Sequence, residues 1–142
     1  MARAVGIDFG TKRVGVAVSD PLMMFSQPVG TFNQDGAVDA VQRLQDEHGV
    51  DTIVIGWPVS EEGAASKGTA RVQEYVNRLK RRFPEATIVH WDERFSTQRA
   101  KELLKQGTRP SLRKTGRERI DTAVAGLLLQ EFLDEKAGSD VF

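Results

Sequence analysis

Val5-Gly6-Ile7-Asp8-Phe9-Gly10-Thr11-Lys12-Arg13-Val14-Gly15-Val16-Ala17-Val18 decides the fold of this chain. Two short apolar runs flank a polar, glycine-bearing turn, the pattern of two strands folded back on each other. The first run ends on a carboxylate. Burying an aspartate at the end of so apolar a strand is costly unless a cation, a metal or hydrogen-bond donors compensate it. Two readings of Asp8 therefore stand side by side. It carries chemistry, or it fixes the turn before Gly10, as aspartates near glycines commonly do.

Outward from this hairpin, strands are predicted at 3–9, 13–19 and 28–33, the last after a loop holding Pro21 and Pro28. Asp35 is placed to cap a helix through Glu47, with Ala37, Val38, Val41 and Leu44 at helical spacing and Gly49 as its stop. Thr52 to Gly56 is a continuous apolar run, as expected of a strand buried on both faces. A helix over 66–83 sets Val72, Tyr75, Val76 and Leu79 on one stripe, and Ala86 to Trp91 makes a fifth strand. Ser96 is placed to cap a helix to Lys105, a basic loop spans Thr108 to Gly116, and the last helix is predicted from Arg117 to Lys136.

Three strands with short connections, then two strands each reached through a helix, predict an α/β fold with a five-stranded mixed sheet. The first three strands pair antiparallel, and the fourth and fifth lie parallel to the first. The expected order is 3-2-1-4-5 with helices on both faces. Residues 1–137 form a single domain in this reading, and 138–142 a frayed tail.

Composition narrows the chemistry. The 142 residues include no cysteine, which excludes disulfides, thiol nucleophiles and cysteine-ligated zinc. His48 and His90 lack metal-ligand spacing. The chain enters a strand almost at once without a leader pattern, and Ala123 to Leu129 is too short to span a bilayer. Cytoplasmic residence and no membrane partner are the expectation. Net charge is zero, yet charge is segregated: seven acids against Arg43 from Asn33 to Glu62, and nine bases against Glu102 and Glu118 from Arg94 to Arg119. Such a basic stretch is either a solvated helix face or a surface that meets phosphates.

Ligands of open α/β sheets sit beyond the carboxyl ends of the parallel strands. Those ends carry Asp8, Gly56-Trp57-Pro58 and Asp92-Glu93-Arg94. A third acid follows from helical geometry. Val124, Leu128 and Phe132 mark the inward stripe of the last helix, and Asp121 continues it. Glu118 does not fall on that stripe. An inward aspartate needs a partner, either Arg117 one turn away or a metal. Asp8, Glu93 and Asp121 together would repel one another unless a divalent cation sat among them. Oxygen ligands without histidine or cysteine favour Mg²⁺ or Mn²⁺. Such a site suits attack of water on a phosphodiester.

The segments Gly6 to Ala17, Gly56-Trp57-Pro58, Asp92-Glu93-Arg94-Phe95-Ser96-Thr97 and Ile120-Asp121-Thr122-Ala123 resemble, in type and order, the motifs of the YqgF/RuvX family of Holliday-junction-resolvase-like nucleases. The resemblance covers essentially the whole chain and implies a ribonuclease H-like fold. It implies Asp8, Glu93 and Asp121 as metal-binding catalytic acids. The implied function is maturation of the 5′ end of 16S ribosomal RNA precursor, with four-way DNA junctions as the other substrate and ribosomal particles as further partners. Lys12 and Arg13 are candidates to hold the scissile phosphate, or are solvated turn residues. Arg94 is placed to orient Glu93 or to contact phosphate, and Arg113 and Lys114 belong to the basic loop before the last helix. Asp92 shares the metal or caps a turn. Trp57 and Trp91 stack on a base or pack the rim.

Two other classes remain open. Asp8-Phe9-Gly10-Thr11 also resembles the first phosphate turn of actin-like kinases, although no second such turn follows. A non-catalytic RNA-binding role in ribosome assembly predicts that the acids can be replaced without loss of function. Monomer and homodimer are both compatible with the sequence.

Overall fold

Side-chain alternation along the opening hairpin determines what each face of the sheet buries. The computed structural model describes residues 2–57, 67–92 and 116–140. Strands β1 (Arg3–Asp8) and β2 (Val14–Ser19) pair antiparallel, with Val5 opposite Val18 and Asp8 opposite Gly15. Strand β3 (Ser26–Phe32) pairs antiparallel with β2. Helix α1 (Gln34–His48) leads to β4 (Val50–Trp57), which lies parallel to β1, and α2 (Lys67–Arg82) leads to β5 (Thr87–Asp92), parallel to β4. Helix α3 (Gly116–Asp140) closes the described chain. The sheet order is β3-β2-β1-β4-β5, the arrangement that the order of elements predicts.

Odd-numbered Val5, Ile7, Ile53 and Ile55 point to one face and are buried against Val38 and Val41 of α1 and Val72, Tyr75, Val76 and Leu79 of α2. Ala4, Ala17 and Val54 point to the other face, against Val124, Ala125, Leu128, Leu129 and Leu133 of α3. Each fully buried aliphatic side chain contributes roughly 1.5–3 kcal/mol. The two faces differ in bulk. β-Branched residues line the first, whereas alanine and glycine under α3 let that helix approach the sheet closely. A Cβ on Gly6 would stand 2.7 Å from the Ala125 carbonyl oxygen and 2.7 Å from the Leu129 Cβ. Gly6 is therefore where helix and sheet touch backbone to backbone.

Several boundaries depart from the sequence pattern. Asn33, not Asp35, caps α1, its side chain accepting the Gly36 N–H, while Asp35 sits in the first turn where its charge suits the helix dipole. Strand β3 starts at Ser26 and carries Pro28, which an edge strand tolerates because no further strand needs its missing N–H. Its register with β2 shifts between Val16 and Ala17, so Val29 is left over as a bulge. Helix α3 reaches Asp140, one turn beyond the expected Lys136. The helix expected at 96–105 and the loop over 58–66 lie outside the described residues.

Two polar side chains at the far end of the sheet, Ser19 and Asp20, are satisfied locally. Ser19 is fully buried; its Oγ accepts the Ala4 N–H at 2.9 Å and donates to the Met23 sulfur at 3.2 Å. Asp20 accepts N–H groups of Phe25, Met24 and Leu22, which shape the β2–β3 turn. The Phe25 donor above all holds the Asp20 carboxyl below its ordinary range.

Candidate active site

Parallel pairing puts Ile7, Ile55 and His90 in one row across β1, β4 and β5. One residue further along stand Asp8, Gly56 and Trp91. Asp8 thus occupies the carboxyl end of the central strand, half-buried, in the row of buried Gly56 near the end of β4. By alternation it shares the face of Ala4 and Gly6, the face covered by α3.

The direction of α3 brings Asp121 to the same end. Leu133, Asp134 and Lys136 stand against Leu22 to Phe25 in the β2–β3 turn, at the opposite end of the sheet from Asp8. Ala125 and Leu129 cross over Gly6. Asp121 lies one turn before Ala125, about 6 Å back along the axis. Asp8 lies two residues beyond Gly6, about 7 Å along the strand in the same direction. Backbone positions 8 and 121 therefore run to one edge of the molecule together. Glu93, Arg94, Arg113 and Lys114 lie outside the described residues. Among the described residues no three histidine, cysteine, aspartate or glutamate side chains are grouped to hold a metal, and of the three expected acids only Asp8 has a described side chain.

The donor set bears on which ion would suit this edge. Cysteine is absent from the chain. His48 ends α1 at the other end of β4, and His90 is on the sheet face away from Asp8, so neither histidine adds nitrogen to Asp8. Oxygen donors alone fit a hard divalent ion, Mg²⁺ or Mn²⁺.

The turn after Asp8 is firmly tied. Gly10 has no room for a side chain, because a Cβ there would lie 2.5 Å from the Arg13 carbonyl oxygen. The Gln34 side-chain amide donates to the Thr11 carbonyl at 2.9 Å, and the Tyr75 hydroxyl donates to the Gln34 carbonyl at 2.9 Å. Phe9 packs on Tyr75 with ring centroids 4.8 Å apart. Burial raises the Tyr75 pKa well above the ordinary phenol value, with the Arg78 charge opposing and Asp35 adding. The phenol is held neutral and able to donate.

Of the expected supporting residues, Lys12 projects from this turn and is exposed, while Arg13 is half-buried. Trp91 packs. Its ring meets Phe132 edge-on at 6.1 Å and its indole N–H donates to Glu131 at 3.0 Å, and the side chain is half-buried. Trp57 and Asp92 end their strands at this edge.

Three residues were missed by sequence reasoning. Arg71, Arg78 and Arg81 of α2 join Lys12, Thr11, Phe9, Gln34, Glu74 and Tyr75 around a cavity of about 610 Å³. Their signal was a helical stripe, 71-74-78-81, adjoining the apolar stripe of α2. Nothing in the sequence alone told that this stripe lies beside the β1–β2 turn.

A family model described as RuvX, Holliday junction resolvase, matches residues 2–135. A Salinibacter ruber protein named "Putative pre-16S rRNA nuclease" is 44% identical over 133 residues, covering 94% of this chain and 93% of that one. A Chlorobaculum tepidum protein of the same name is 41% identical over 132 residues, covering 93% of each. In fold, the chain is similar to Thermus thermophilus RuvC in complex with a Holliday junction substrate, with a TM-score of 0.61 at 10% identity over 98% of both chains. At that identity the likeness concerns the fold alone, which is a RuvC-like ribonuclease H fold.

Proposed function

The chain belongs to the RuvX family, and from that membership we propose that it is a divalent-metal-dependent endonuclease that processes the 5′ end of 16S ribosomal RNA precursor. The observation that carries the substrate is the 44% identity, across nearly the full length of both chains, to a relative named for pre-16S rRNA. The position of Asp8 at the carboxyl end of the central strand supports the chemistry.

In this reading Asp8, Glu93 and Asp121 hold the ion through their carboxylate oxygens. Bound there, a divalent cation supplies a more nucleophilic water and stabilises charge building up on the phosphate oxygens. The water oxygen bonds to phosphorus, the bond from phosphorus to O3′ breaks, and O3′ takes up a proton. The products are a 3′-hydroxyl and a 5′-phosphate. Lys12 and Arg13, on the tied turn beside Asp8, orient the phosphate, and Arg94, Arg113 and Lys114 add positive charge for the strand.

The test compares wild type with Asp8→Asn, Glu93→Gln and Asp121→Asn on precursor rRNA and on a four-way DNA junction, each with Mg²⁺, Mn²⁺ or chelator. Each variant should lose at least about a hundredfold in cleavage rate. Cleavage that survives chelation or loss of the acids refutes the mechanism. Cutting of the junction but not of the RNA transfers the site to the substrate that the family model's description names.

A further inference from the structure

The β1–β2 turn and α2 enclose a groove on the opposite side of the sheet edge from Asp8. Consecutive residues divide there: Asp8 faces α3, and Phe9 packs on Tyr75 beneath α2. The groove presents Lys12, Arg71, Arg78 and Arg81 around about 610 Å³ of space, against one lining acid, Glu74. Arg78 is held in place by Asp35, 2.6 Å away. Lys12, Arg71 and Arg81 have no acidic partner among the described residues. Three such cations around a single lining acid leave a net positive field that draws in an anion.

The chemistry of the floor narrows the ligand. Stacking platforms for bases need an accessible aromatic face. Tyr75 is only 3% exposed, covered by Phe9 and bonded through its hydroxyl to Gln34. Phe9, half-buried and tilted against Tyr75, is the lining aromatic with accessible surface, set among four cationic side chains, so the groove offers chiefly charge. Its ligand is a phosphate backbone, taken without regard to sequence.

We infer that this groove is a second phosphate-binding site, which holds the substrate strand next to the phosphate being cut and guides it over the β1–β2 turn to Asp8. The inference rests on the nuclease reading for its polymer, and on the groove alone for its anion. Arg71 and Arg81 are binding residues in this scheme, not catalytic ones. Glu74 opposes binding, and its charge tempers the affinity.

The experiment measures binding of a fluorescein-labelled oligouridine of about 20 nucleotides to the full chain in chelator, so that cleavage plays no part, across a series of salt concentrations. The double variant Arg71→Gln/Arg81→Gln should bind about tenfold more weakly, with the slope of log affinity against log salt shallower by about 1.4, two single-strand phosphate contacts. Glu74→Gln should bind more tightly. Lys136→Gln, at the far end of the sheet, should behave as wild type, and circular dichroism should show all variants folded. Wild-type affinity and slope in the double variant overturn the groove, as does an equal loss in Lys136→Gln. So does absence of binding by the wild type. ATP binding that depends on Arg71 and Arg81, with oligouridine indifferent to them, assigns the groove to a free nucleotide and overturns the strand. Cleavage of precursor rRNA by wild type, together with normal oligouridine binding by the double variant, leaves the nuclease reading standing and removes only this site. Absence of cleavage by wild type, with oligouridine binding that depends on Arg71 and Arg81, removes the nuclease reading and leaves this site standing.

Discussion

Replacing Gly6 by alanine tests whether the close seat of α3 on β1 holds this architecture together. The added Cβ would lie 2.7 Å from both the Ala125 carbonyl oxygen and the Leu129 Cβ, and 3.4 Å from Leu128 Cδ1. Ordinary contacts between such atoms need about 3.5–4.0 Å. Neither close neighbour is the free end of a flexible side chain, so the helix itself must retreat by about 1 Å. Overpacking of this kind costs roughly 1–3 kcal/mol. The loss of chain freedom on replacing glycine returns about 0.4–1 kcal/mol. A net destabilisation of about 1–2 kcal/mol should lower the urea midpoint with the slope unchanged. Gly126→Ala supplies the matched control. Among the described residues its Cβ would meet only Ser26 Oγ, at 3.7 Å, so the same chemical change inside α3 should stabilise by about 0.5–1 kcal/mol through helix propensity. Gly6→Ala should also slow cleavage by about a hundredfold, because the retreating helix carries Asp121 away from Asp8. A Gly6→Ala protein as stable as wild type would refute the packing argument.

Tyr75→Phe removes the hydrogen bond to the Gln34 carbonyl and should cost about 1 kcal/mol in urea unfolding near neutral pH. Tyr75 has a raised pKa when folded, so above about pH 10 the unfolded chain loses this proton first and wild-type stability falls with rising pH. The difference from Tyr75→Phe should shrink across that range, and parallel stability curves would show that the phenol is not held neutral. Ser19→Ala leaves the Ala4 N–H buried without its acceptor, which should cost about 1–3 kcal/mol and speed exchange of that amide with solvent. Asn33→Ala should cost about 1 kcal/mol, whereas Asp35→Asn, beyond the cap, should cost less; the reverse order in thermal melts would return the cap to Asp35.

Much of the sheet was legible because hydrophobic period and connection length are local. Val5 to Asp8 and Val14 to Ser19 are short apolar runs around one turn, and Thr52 to Gly56 is an apolar run reached through a helix, so strand type and antiparallel or parallel pairing followed. The cap of α1 was misplaced because Asn33 and Asp35 are both good capping residues, and only the chain path at Phe32 selects between them. For Trp91 the sequence favoured packing over stacking but named no neighbour, since Phe132 and Glu131, which come against it, lie about forty positions away in sequence.

The same division runs through the site. By itself the sequence determined that a carboxylate ends the central strand, and that position 121 falls at helical spacing from Val124 and Leu128. Both are matters of period along one element. Tertiary structure decided that α3 begins at the Asp8 end of the sheet and runs away from it, since that depends on Gly6 admitting the helix and on which end of the sheet receives Leu133. It also decided that Arg71, Arg78 and Arg81 stand beside Lys12. A helical stripe records which side chains share a face but carries no information about what that face meets, so a groove built from a turn and a distant helix exists only once the chain has folded.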